Sequence, residues 1–143
     1  MNETVLANES YVNMQYIPNF GMLYIQWYGS ALLGHYQETF RRGFEFITSK
    51  EVPFYVYLSD IRKQKVVLPE VRSWVENYAI PEAIKKGLKL GVVIFDGTVF
   101  KKYYLNIVMF TFHRYGVPFK FVNSYEEAIE FIEKFCMVEF SNA

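Results

Sequence analysis

Two short basic stretches carry the side chains best suited to chemistry in this chain. Arg62, Lys63 and Lys65 follow Ser59-Asp60 at the end of an apolar run, and Lys101-Lys102 open a later helix. Guanidinium and ammonium groups beside the free N–H groups and positive dipole end of a helix make an anion site, with phosphate or carboxylate as the natural guest. The alternative is that these are solvated cations on loops. Ser59-Asp60 has two readings as well, holding the loop by side-chain hydrogen bonds or binding a ligand. No catalytic constellation accompanies them. His113 reads as a surface or interface histidine and His35 as an exposed helix residue, and neither a metal site nor an acid–base pair is expected. Cys136 reads as a small core residue, Trp74 as core, and Gly29 and Gly34 lack the spacing of a phosphate loop.

For the two basic stretches to meet, the strands before them must point the same way. Phe54–Ser59 and Leu88–Phe95 are unalternating apolar runs, as in strands buried on both faces. Between them lie a polar loop, Asp60–Leu68, and a helix, Pro69–Tyr78, resumed at Pro81–Lys86 after a break or kink at Ile80-Pro81. Gly87 serves as its C-terminal cap. Strand, helix and strand make one right-handed parallel unit, and ligands in such sheets gather at the carboxyl edge of the strands. Lys85, Lys86 and Lys89 precede a strand and belong to the opposite edge.

The remaining elements frame that unit. Thr4–Ala7 is a short strand or lead-in, and Tyr11–Ile17 and Met22–Tyr28 alternate as an antiparallel hairpin about Pro18-Asn19-Phe20-Gly21. Ser30 caps a helix over Ala31–Ser49, with Leu32, Leu33, Tyr36, Phe40, Phe44 and Ile47 in one stripe. Glu38–Arg42 and Arg41–Glu45 are spaced for surface ion pairs. Thr98 caps a helix over Val99–Tyr115, Pro118–Val122 is an edge strand, and Ser124 and Glu127 form a capping box for a last helix, Tyr125–Val138.

The helix Val99–Tyr115 is apolar nearly all round, Phe100 included. It must be covered on more than its sheet side, either by neighbouring helices or by a second subunit. Tyr103, Tyr104, Ile107, Val108, Phe110 and Phe112 are the expected contacts of a two-fold homodimer.

Composition bounds the rest. A chain of 143 residues with 52% hydrophobic and 20% aromatic residues is one domain, 1–143, with a single core. Fifteen basic and fifteen acidic residues cancel, so no global field draws nucleic acid. One cysteine excludes an internal disulfide and fits a reducing compartment. Met1-Asn2-Glu3-Thr4 does not open a signal peptide, and no run reaches the roughly 18–20 apolar residues of a membrane span. A cytoplasmic protein without stable membrane insertion is expected.

In this order, Ile25-Gln26-Trp27-Tyr28-Gly29, Tyr36-x-x-x-Phe40, Tyr57-Leu58-Ser59-Asp60-x-Arg62, Trp74, Pro81-x-x-x-Lys85-x-Gly87-Leu88-Lys89 and Phe121-x-x-Ser124-x-Glu126-Glu127-Ala128-x-x-Phe131-Ile132 resemble the small stand-alone STAS-like (SpoIIAA-like) proteins of bacteria. The resemblance runs over roughly Leu23–Phe135. It implies an α/β fold: a mixed sheet with an N-terminal antiparallel hairpin, parallel βαβ units and helices packed on the sheet. It also implies phosphoregulated protein binding, as in the anti-sigma-factor antagonists, or apolar-ligand binding, as in the distantly similar CRAL-TRIO proteins. The antagonists place a phosphorylatable Ser or Thr directly after an Asp. Here Ile61 follows Asp60, so that switch does not carry over.

The resulting expectation is a non-enzymatic domain that acts through protein contacts, with no cofactor, no metal and an unknown partner. The alternative is binding of a lipid-like ligand with an anionic headgroup, drawn from the aromatic excess beside the basic loop.

Overall fold

A computed structural model describes residues 3–141; the Met1-Asn2 reading and the side chain of Phe100 lie outside the described residues. Six strands form one sheet: β1 (Thr4–Glu9), β2 (Val12–Ile17), β3 (Met22–Gly29), β4 (Val56–Gln64), β5 (Leu90–Ile94) and β6 (Phe119–Val122). Their spatial order is their sequence order. The first three pair antiparallel, and β3 to β6 run parallel, with Val56 opposite Leu90 and Asp60 opposite Ile94.

That simple order decides where the helices go. Each parallel connection steps one strand in the same direction, so right-handed crossovers all pass over one face. These are α1 (Leu33–Lys50), then α2 (Pro69–Trp74) and α3 (Ile80–Lys85), then α4 (Val99–Arg114). The other face is left to α5 (Tyr125–Ser141), which follows β6. Two apolar clusters match this division. Leu23, Ile25 and Trp27 pack with Tyr36, Phe40, Val71 and Leu105 on the three-helix face, while Met22, Leu58 and Val92 pack with Ala128 and Ile132 under α5. Neighbouring residues of β3 thus feed opposite cores, as the pleat requires.

Local chemistry departs from the sequence reading at three points. The kink expected at Ile80-Pro81 is absorbed one turn earlier, in a π turn over Val75–Ala79 where the Ile80 N–H bonds the Val75 carbonyl. Proline cannot donate to the carbonyl four residues back, and a widened turn redistributes that loss without breaking the helix. Ser30 does not cap α1. The N-cap is Leu32, half exposed, whose N–H donates to His35 Nδ1 at 3.0 Å, and the His35 ring is held in place by stacking on Tyr11 at 3.9 Å. Thr98 makes no side-chain cap either; its N–H donates to Asp96 Oδ1. At α5 one half of the expected capping box forms, the Glu127 N–H on Ser124 Oγ, while Glu127 Oε1 accepts from the Asn123 N–H, one residue before the cap.

β5 and α4 approach so closely that only glycine fits at position 91. A Cβ there would lie 2.7 Å from Phe112 Cζ and 3.2 Å from Phe119 Cδ2. Gly91→Ala is expected to destabilise the fold by about 1–3 kcal/mol, as overpacking does. Shortening the obstructing ring in Gly91→Ala/Phe112→Leu should recover part of the loss. Urea unfolding midpoints check this, and an unchanged midpoint for the single variant would refute the close approach.

Candidate functional site

Three places concentrate polar or exposed apolar chemistry: the carboxyl edge of the parallel strands, a cavity beneath the three helices, and the outer side of α4. At the carboxyl edge β4 does not stop at Ser59. It continues to Gln64 beside β3, with Tyr28 opposite Lys63 and Gly29 opposite Gln64, after a bulge that sets one additional residue on β4 between Asp60 and Lys63. The expected loop Asp60–Leu68 is therefore strand for its first half. Charged side chains hide it because one edge of this extension lacks a β5 partner, and the bulge breaks the period-two pattern.

Strand geometry separates Ser59 from Asp60. Ser59 is buried on the three-helix side, where it lines the cavity, and Asp60 is buried facing the α5 side. Asp60 is closed upon Arg62: Nε donates to Oδ1 at 3.1 Å, Nη2 to Oδ2 at 2.9 Å, and the Arg62 backbone N–H to Oδ1 at 3.1 Å. This pairing holds the proton on the Arg62 guanidinium more firmly than usual, against the opposing effect of burial.

Lys101 is spent in a similar way. Its side chain is only 7% exposed, and Nζ donates to the Ile61 carbonyl at 2.7 Å, the Arg62 carbonyl at 3.2 Å and Asp96 Oδ2 at 2.9 Å. A lysine in the first turn opposes the helix dipole. Here its ammonium reaches carbonyls of β4 just past the last β4–β5 pair, supplying the donors that a longer β5 would have given. Burial raises the Asp96 carboxyl, and bonds from Lys101 and the Thr98 N–H more than reverse it, leaving it below the usual carboxylate range. Lys63 and Lys102 remain exposed. Lys63 borders a shallow depression with Gln26, Tyr28, Asp60 and Arg62, which Lys102 does not line. The expected cluster of five free cations is not assembled: Arg62 and Lys101 serve the fold, and of the others only Lys65 shares a groove with Lys101.

The cavity lies between β3–β5 and the helices, with Trp27, Tyr36, Tyr57, Ser59, Gln64 and Tyr104 among its walls and a volume of about 40 Å³. Burial pushes the hydroxyls of Tyr36, Tyr57 and Tyr104 upward, so all three are neutral at physiological pH. The neighbouring Ser59 and Trp27 side chains oppose the rise at Tyr57. The bulge turns Gln64 inward, where its Nε2 donates to the Tyr36 hydroxyl. Gln64 Oε1 is the one buried side-chain polar atom without a partner among the described residues. Gln64 sits among lysines and nothing local marks it; the hydroxyl of Tyr36 in an apolar stripe is the only signal, since buried tyrosines need partners.

The six aromatic and aliphatic residues expected at an α4 interface divide by face. Tyr104, Val108 and Phe112 are buried against the sheet and are unavailable to a partner. Tyr103 and Phe110 are 64% and 68% exposed, with Ile107 half buried between them. Arg72 lies over the Tyr103 ring at 5.7 Å, and Arg114 approaches Glu76 at 3.8 Å. Tyr103 shares a groove with Lys65, Val66 and Arg72, and Phe110 shares one with Glu76, Ile107 and Arg114. Among the described residues there is no group of three or more metal-ligating side chains, and no helix is long and apolar enough to cross a membrane.

No family model and no curated protein matches the chain. Among solved structures it is similar to an uncharacterized protein of the DUF3478 family, with a SpoIIAA-like fold, from Shewanella loihica PV-4. The identity is 14%, the TM-score 0.58, and 92% of each chain is covered. Identity this low speaks for the fold and not for an activity. Strand order, the antiparallel start, the three parallel crossovers and this likeness lead to one conclusion: the chain has the SpoIIAA-like α/β fold.

Proposed function

We propose that this domain is a non-enzymatic docking module whose contact face is the outer side of α4 and the adjoining edge of α2. The observation that carries the reading is the row of exposed Val66, Tyr103 and Phe110 with half-buried Ile107, contributed by two grooves. Large exposed aromatics grouped with aliphatics mark a binding surface rather than scattered surface residues. Around them stand Lys65, Arg72 and Arg114 against one carboxylate, Glu76. The occupant is accordingly a segment of another protein with apolar anchors flanked by Asp or Glu.

Charge also argues against the two-fold homodimer expected from sequence. An isologous contact sets a patch against its own copy, and would bring Lys65, Arg72 and Arg114 toward like charges. The alternative of an amphiphile with an anionic headgroup is weakened in the same way, because Arg62 and Lys101 are engaged within the chain.

Selection from a displayed peptide library tests the reading. Selected peptides are expected to carry an aromatic or aliphatic anchor between acidic residues and to bind more weakly as salt rises. Phe110→Asp should weaken them at least ~30-fold, the loss of one interface anchor. It should leave the unfolding midpoint nearly unchanged, since the side chain is mostly in solvent. Peptides that bind wild type and variant alike would overturn the reading, as would a two-chain mass in sedimentation that Phe110→Asp reduces to one.

A further inference from the structure

We infer that the cavity beneath the three helices is a binding site for a small neutral molecule with one hydrogen-bond donor and an apolar body. Three observations meet there. The first is chemical: Gln64, 3% exposed, lines the cavity with its Oε1 unpartnered, while its Nε2 is taken by Tyr36. A buried amide oxygen left without a donor is costly, and a guest that supplies an O–H or N–H removes that cost.

The second concerns what else surrounds the guest. Tyr57 and Ser59 add hydroxyls to the lining, and the remaining wall is built from residues such as Phe40, Val75, Val93, Val108 and Phe112. A buried water wants two to four polar partners. Gln64 Oε1, the one fully buried side-chain polar atom left without a partner among the described residues, stands in a largely apolar wall, and that suits an amphipathic guest better. No cation is aimed inward to receive an anion, because Lys101 does not line the cavity and its ammonium is bound to Ile61, Arg62 and Asp96. The buried tyrosines stay protonated, so the site is uncharged.

The third is size. At about 40 Å³ the space is well short of the ~150 Å³ that takes a benzene ring, and at ~10–15 Å³ per water-sized group it holds about three or four. The guest is thus of the class of short alcohols and comparable N–H donors. The helix that closes the site carries the π turn at Val75–Ala79, with Val75, its first residue, and Ile80, just after it, lining the wall. Widened turns of this kind recur at functional sites.

2-Propanol and acetone share a heavy-atom skeleton and differ in the donor, which makes them the decisive probes. Titrated separately into the full chain with labelled valine methyls, 2-propanol is expected to shift Val75, Val93 and Val108 saturably, and acetone to bind at least fivefold more weakly. Gln64→Met should erase the difference between the two. Val93→Ile, which adds a methylene to the wall and leaves Gln64 in place, should abolish both responses. Equal binding of the two probes, no saturable shift with either, or unchanged binding in Val93→Ile would overturn the proposal. Should Gln64→Met fail to fold, the wild-type comparison still decides.

Discussion

Lys101→Met is expected to destabilise the domain by about 3 kcal/mol. The methionine would fill much of the same space, but the Ile61 and Arg62 carbonyls would lose a charged donor, each such bond being worth roughly 1.5–3 kcal/mol. Asp96 would lose its cation as well. Chemical unfolding of the two proteins measures the difference, and its pH dependence isolates the Asp96 share. The folded Asp96 carboxyl lies below its ordinary value. Its contribution is therefore present above the unfolded carboxylate range and is lost as the pH falls through the folded value. The gap between wild type and Lys101→Met should narrow in acid without closing, because the two carbonyl bonds do not titrate. An anion-binding lysine would behave otherwise: its replacement would leave stability intact, and inorganic phosphate would raise the wild-type midpoint. Equal midpoints for the two proteins would sink the strut assignment.

Phe40→Ala should cost about 4 kcal/mol, in the range of large-to-small aromatic truncations. Phe40 is 4% exposed and its ring meets four others, Trp27 at 6.3 Å, Phe44 at 5.7 Å, Tyr57 at 5.8 Å and Trp74 at 5.7 Å. Those rings belong to β3, α1, β4 and α2, so one side chain joins two strands and two helices of the larger core. The contrast with Phe110→Asp is the sharper measurement: two phenylalanines on two helices over the same sheet face, one change expected to cost several kcal/mol and the other almost nothing in stability. A Phe40→Ala loss below about 1 kcal/mol would mean that the core collapses around the gap, which close-packed aromatic rings resist.

The difference between those two positions was only half visible in the amino-acid order. α1 has an apolar stripe opposite a charged one, and Tyr36, Phe40, Phe44 and Ile47 are buried as that stripe requires; only Leu32, at its very start, points outward. α4 has no such asymmetry. With apolar residues on every side, periodicity offers no way to tell Tyr104 from Tyr103, or Phe112 from Phe110, and the sheet alone chooses.

β4 teaches the same lesson at the site. Its apolar first half announced a buried strand, and its parallel pairing with β5 followed from the helical crossover between them. The polar second half gave no warning, because a bulge changes which residues point inward without changing composition. Gln64 faces the cavity for that reason, and Ser59 and Asp60 part company across the sheet although they are adjacent in the chain.

The chain's own order thus determined the elements, their parallel run and the Ser124 cap at α5, since these depend on neighbours a few residues apart. Tertiary structure alone decided that Lys101 closes an unfinished strand edge, that Gln64 keeps an oxygen without a donor, and which side of α4 meets water. Each of those outcomes depends on partners roughly thirty to forty positions away, or on a bulge, and neither leaves a mark in local spacing.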